Sequence, residues 1–156
     1  MSYIALATTT LGSAAANVTF SSIPGTYKDL IVVYSGSNTT GLAGLRIRLN
    51  GDSTSIYSTV NMNGESSGAN SSAQTETSAN IGVSSTGQSN TIIQIMDYSA
   101  TDKHKTILGR GNTLATSFVR ATAGRWANTN AVNTVQVSTY AYDFNSGTTI
   151  SLYGVA

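Results

Sequence analysis

Three stretches of this 156-residue chain hold side chains able to do chemistry. Gly64-Glu65-Ser66-Ser67-Gly68 has the spacing of a hydrolase nucleophile elbow. In that motif a buried strand runs into a helix, and the serine between them sits on a sharp turn with its hydroxyl presented to a carbonyl. Here Asn61-Met62-Asn63 precedes and Ala69-Asn70-Ser71 follows, and neither reads as the required element. His104, the one histidine, stands in the densest charge cluster with Asp97 and Asp102, the partners a general base would need. A solvated turn between two strands accounts for the same residues. Gly109-Arg110-Gly111 opens like a phosphate loop but leads into no helix, so it lacks the helix N-terminus that would hold an anion.

The remaining acids are too few and too scattered to mark a reaction. Asp29, Asp52, Glu65, Glu76, Asp97, Asp102 and Asp143 are all there are, and no spacing singles out a glycosidase pair or a calcium loop. The absence of cysteine excludes disulfides, thiolate nucleophiles and Cys-ligated zinc. The reading is a non-enzymatic protein with no catalytic residue, no cofactor and no metal site.

The elements that would position any site are strands. Short apolar runs are broken by Gly, Ser and Asn throughout, and no amphipathic helix of useful length appears. Asp29 to Tyr34 is apolar on both faces, which predicts a central strand covered on both sides. Leu45, Ile47 and Leu49 alternate with Arg46 and Arg48, the pattern of a half-exposed strand. Asn50-Gly51 follows and predicts a hairpin corner, because both residues of such a turn need positive φ. Further strands are expected at 92–98, 105–108, 117–121, 134–144 and 148–155. The sum is an all-β, antiparallel β-sandwich of jelly-roll type, with about 8–10 strands and little or no helix.

Residues 1–16 read as an N-terminal arm and 17–156 as a single domain. Residues 61–90 are almost free of large apolar side chains and read as a long polar loop, ordered by contacts at a subunit interface or an exposed rim. In 134–144, Tyr140, Tyr142 and Phe144 fall on one face of the expected strand. With Trp126 they raise a second reading, in which aromatic faces stack on a glycan.

Composition narrows the partners. Charged residues make up 10% and the net charge is +1, with no basic patch for nucleic acid. About 45 Ser and Thr fill the positions that charge vacates, which leaves weak protection against self-association and suits life inside an assembly. No apolar run is long enough to span a membrane, and Met1 to Ala7 lacks the basic and apolar regions of a signal peptide. The sequons at Asn17, Asn38 and Asn70 are expected by chance in so Ser/Thr/Asn-rich a chain.

The order of short motifs carries a resemblance. Phe20-Ser21-Ser22-Ile23-Pro24 is followed by Thr26-Tyr27-Lys28-Asp29-Leu30 and by Arg48-Leu49-Asn50-Gly51-Asp52 with Tyr57. Then come Asp97-Tyr98-Ser99, Phe144-Asn145-Ser146-Gly147-Thr148, and Ile150 with Leu152-Tyr153-Gly154. From about residue 17 onward the chain resembles small virion proteins of tailed bacteriophages, found as capsid decoration (cement) proteins and as tail-fibre modules. The resemblance implies a jelly roll, a homotrimer and a structural role on the phage head, with the major capsid protein as partner. It carries over no catalytic residue. The expected location is the capsid surface, after synthesis in the host cytoplasm. The Leu-Tyr-Gly close near residue 156 and the lack of a repeat shaft favour a free-standing cement protein over the tip of a fibre. Tyr3, Ile4, Leu6 and Leu11 of the arm are the expected capsid contacts. Trp126, Tyr140 and Tyr142 are the contacts under the alternative, a tail-fibre or receptor- and glycan-binding module.

Overall fold

The structure is a computed structural model and describes residues 2–156. Among the described residues there are twelve strands: β1 (Tyr3–Thr10), β2 (Asn17–Phe20), β3 (Asp29–Gly36), β4 (Ala43–Leu49), β5 (Tyr57–Glu65), β6 (Gly68–Glu76), β7 (Ala79–Ser84), β8 (Ser89–Met96), β9 (Lys105–Thr113), β10 (Phe118–Trp126), β11 (Val135–Thr139) and β12 (Thr149–Val155). No helix occurs among the described residues, so none is present that is long and apolar enough to cross a membrane.

All pairing is antiparallel, in two sheets. The large sheet runs β1-β12-β3-β8-β9-β10-β5-β6 and the small one β2-β11-β4-β7. Let the meander β8-β9-β10 count as one element, and number the elements from β2 to β11. The small sheet then reads first-eighth-third-sixth and the large one second-seventh-fourth-fifth, which is the jelly-roll order. Three strands stand where a simpler jelly roll has one. An odd number keeps the chain direction, so the topology survives the insertion. β12 and β1 extend the sheet past β3. These additions explain why twelve strands appear where 8–10 were expected.

The core lies between the sheets. Leu30, Val32 and Tyr34 of β3 and Ile93, Ile95 and Ile107 of β8 and β9 face Leu45, Ile47, Leu49, Ile81, Val135 and Val137 of the small sheet, all buried. Each such side chain stabilises the fold by roughly 1.5–3 kcal/mol through burial. The alternation in β4 is as expected, with Arg46 and Arg48 half-buried on the side away from the core.

Three sequence expectations change. Residues 3–10 form no detached arm: they are edge strand β1, paired with β12 from Tyr3↔Val155 to Thr10↔Thr149, with a bulge at Leu6. Residues 61–90 form no loop: they supply the end of β5, all of β6 and β7, and the start of β8. Small polar residues suffice because β6 gains its order from ladder bonds to β5 along nine pairs, and its outer edge is an exposed rim. Finally, Asn50 (φ 52°) and Gly51 (φ 68°) do turn the chain, but between sheets, from β4 in the small one to β5 in the large one. Asn50 fixes that corner. Its Nδ2 donates to the Ala131 carbonyl at 2.8 Å, and its Oδ1 accepts from the Asn133 and Thr134 amides at 2.9 and 3.2 Å.

Candidate functional site

The candidate chemical residues do not converge. Ser66 sits exposed in the tight turn between β5 and β6. His104 is exposed in the loop from β8 to β9, where Lys103 pairs with Asp97 at 3.5 Å. Among the described residues, no three His, Cys, Asp or Glu side chains gather as metal ligands would. The most unusual group beside that loop is Lys105, the first residue of β9. It is fully buried, and its Nζ donates to the carbonyls of Ala100, Lys103 and Thr129 at 2.6, 3.0 and 3.2 Å. Burial lowers its pKa, partly offset by the charge of Asp102. The ammonium staples two loops together and faces no open cleft.

The aromatic candidates separate as well. Trp126 is 1% exposed. It stacks on Tyr57 with ring centroids 6.3 Å apart, and its Nε1 donates to Asp52 Oδ2 at 2.9 Å. It is a core residue and offers no platform to a sugar. The Tyr57 hydroxyl donates to the Leu49 carbonyl, and burial pushes its pKa to about 12. β11 ends at Thr139, so Tyr140, Tyr142 and Phe144 do not share a strand face. Tyr140 is exposed beneath the Arg46 guanidinium, 4.3 Å from its ring centre. Tyr142 is half-buried, with its amide donating to Thr139 Oγ1 at 2.9 Å. Phe144 is buried against Tyr34, centroids 5.5 Å apart. Of the N-terminal four, Leu6 and Leu11 pack onto the core, while Tyr3 and Ile4 remain exposed.

What the fold does leave open is the outer face of the large sheet. Registers place Tyr153, Ile31, Gln94, Leu108, Ala123 and Val60 in one row across β12, β3, β8, β9, β10 and β5. Val33, Ile92, Arg110, Ala121 and Met62 form the adjacent row from β3 to β5. Val60, Met62, Ile92 and Leu108 are 50, 59, 38 and 39% exposed. These two mostly apolar rows lie between polar ones, such as Ser35-Asn90-Asn112. A contiguous apolar patch of this kind is a docking surface more often than an accident of composition.

One end of the face is hollowed. A groove of about 470 Å³ is lined by Tyr3, Ile31, Val33, Ile92, Gln94, Leu108, Arg110 and Tyr153. Its floor is aliphatic. Gln94 Nε2 donates to Asp29 Oδ2 at 2.8 Å, and Asp29 Oδ1 accepts from the Asp97 amide at 2.9 Å. The buried Asp29 carboxylate is thus engaged, and Gln94 is left with its carbonyl oxygen as the acceptor on the floor. Arg110 is exposed and belongs to neither of the two ion pairs formed by the described residues, Arg46–Glu76 and Lys103–Asp97.

The Gly109-Arg110-Gly111 triplet explains how that arginine is aimed. On the inner side of β9 an added Cβ at Gly109 would collide with the Ile81 carbonyl of β7. Glycine lets the sheets close there. Strand alternation then sends Arg110 to the outer face. The motif serves sheet packing and display of one cation, with no phosphate loop. Of the face, sequence reasoning named Tyr3 as a contact, and Arg110 only within the phosphate-loop pattern it set aside. A signal was present: β3 is apolar on both sides, and the chain's own small sheet covers only one of them.

No protein-family model matches the chain, and no curated protein matches it. Among solved structures, a mutant of alginate lyase Aly36B in complex with alginate tetrasaccharide is 7% identical over 89% of this chain and 79% of that one, with a TM-score of 0.27. A second mutant of the same lyase, in complex with alginate trisaccharide, is 7% identical over 96% and 80%, also at 0.27. Likeness at that level says nothing of what this chain binds or does.

Proposed function

We propose that this protein is a non-enzymatic structural protein of a tailed-bacteriophage virion, a capsid decoration protein that docks on the head shell and stabilises it. The observation that carries the reading is the apolar outer face of the eight-stranded sheet. Its strand β3 is patterned for cover on both sides, the rows beside it carry exposed Val60, Met62, Ile92 and Leu108, and the small sheet covers the other side only. The low charge and the motif order described above fit the same reading.

The mechanism is mechanical. Three copies form a homotrimer, and each seats its open face across a joint between major capsid subunits. An interface of ordinary size buries about 1,600 Å². Trimeric attachment then multiplies binding without tighter single contacts, because the second and third contacts form at high effective concentration. The face replaces the N-terminal arm as the expected contact, and Tyr3 is the arm residue that remains part of it.

The test mixes purified protein with undecorated heads and follows head melting, with sedimentation of the free protein alongside. The proposal expects a trimer in solution, binding to heads and a higher melting temperature. Absence of binding with no melting shift refutes it.

A further inference from the structure

The groove at the β1 end of the open face has a chemistry of its own, and it identifies the kind of partner the face takes. This inference rests on the outer face being a docking surface, the reading proposed above. Its floor is formed by the aliphatic side chains Ile31, Val33, Ile92 and Leu108. One cation, Arg110, stands beside that floor, and the Asp29 carboxylate that holds Gln94 is buried and already engaged. A guanidinium next to an apolar floor, with no carboxylate of its own chain lining the groove, is complementary to a carboxylate carried on an apolar segment.

We propose that the groove receives an extended segment of the partner protein in which an Asp or Glu is flanked by aliphatic residues. The carboxylate pairs with Arg110, while the aliphatic side chains cover Ile92 and Leu108. A backbone N–H of the segment meets the Gln94 carbonyl oxygen. The extent of the surface favours a polypeptide over a sugar: Tyr3 and Tyr153 border the groove, but the apolar rows run on beyond it to Val60 and Met62, farther than one saccharide reaches. The charge also disfavours a second copy of this chain in the same place, since two such faces opposed would bring arginines and no carboxylate to each other.

The probe is a synthetic peptide of alternating Val and Glu, with a Val/Gln peptide of the same length as control. Binding is followed by methyl NMR of Ile92 and Leu108 in the full chain. The acidic peptide is expected to bind at least tenfold more tightly than the Gln peptide and to shift both methyl groups. Arg110→Gln abolishes the preference, and Arg110→Lys restores part of it because the charge returns without the bidentate fork. Arg125→Gln, on the same face of the sheet but outside the groove, leaves it unchanged. No binding of the acidic peptide at millimolar concentration overturns the proposal. So does equal binding of both peptides, Arg110-dependent binding of an oligouronate with none of the peptide, or self-association that Leu108→Glu removes. Because no phage head is used, failure here is separable from failure of the decoration reading.

Discussion

Asp52 accepts the indole N–H of Trp126 at 2.9 Å, and with that bond the candidate glycan contact Trp126 becomes part of a structural joint. The same carboxylate accepts the Thr54 amide at 3.0 Å and the Thr54 hydroxyl at 2.6 Å. The corner leaving β4 is thereby tied to the end of β10. Asp52→Ala is expected to destabilise the fold by about 1.5–3 kcal/mol, the range for hydrogen bonds to a charged group. The Thr54 bonds foremost, with those from Trp126 and Asn128, hold the Asp52 pKa below its ordinary 3.8. A depressed carboxylate contributes stability that is full above the unfolded value and fades as pH falls through the folded one. Denaturant melts from pH 6 down to about pH 2 should therefore show a loss below pH 4 that is smaller in Asp52→Asn.

The ring of Tyr27 lies on Gly154, so close that an added Cβ would overlap its ring atoms. Two motifs far apart in the sequence, Thr26-Tyr27-Lys28-Asp29 and Leu152-Tyr153-Gly154, are thus one contact. Gly154→Ala is expected to cost about 1–3 kcal/mol through overpacking. In a double-mutant cycle the Tyr27→Ser background should remove most of that cost, and strict additivity of the two changes would contradict the contact.

Lys105→Met removes a buried ammonium that serves three partly buried carbonyls. Leaving such groups without a donor costs about 1–3 kcal/mol each when water cannot reach them. A loss of at least 2 kcal/mol in urea unfolding is expected. Amide exchange should rise first in the loops holding Ala100 and Thr129, while β11 and β4 stay protected.

Much of this fold was legible because alternation is a local signal. The β4 pattern of Leu45, Ile47 and Leu49 is visible in seven residues, and it oriented that strand correctly. The Asn50-Gly51 turn was legible for the same reason, but its destination was not. Whether such a turn joins partners in one sheet or crosses between two depends on pairings dozens of residues away. β6 was misread as loop because its order comes from the β5 ladder and not from burial of its own Ala, Ser and Asn side chains. The open face was half-legible. Ile31 and Val33 announced a second apolar side to β3, but only the sheet order shows that this side meets Val60 and Met62 in continuous rows and that no layer of this chain lies over them. Trp126 misled because an aromatic beside polar residues reads alike whether its ring is a platform or a core residue with a wet edge.

Charge placed on the open face should leave the monomer fold intact. Val60→Glu and Leu108→Glu change side chains already 50 and 39% exposed, so unfolding free energies are expected to stay within about 0.5 kcal/mol of the parent. Docking should nevertheless fall at least tenfold in each, because a carboxylate would be buried in an apolar contact. Equal docking by the parent and both variants would place the contact elsewhere.

The most direct measurement is oxidative footprinting of the free and the head-bound protein, reading Met62 and Tyr3 on the open face against Tyr140 on the small-sheet side. All three are more than half exposed in the isolated chain, at 59, 63 and 67%. The account predicts that Met62 and Tyr3 lose most of their modification on binding while Tyr140 keeps its own. Protection of Tyr140 with Met62 and Tyr3 unchanged would contradict it.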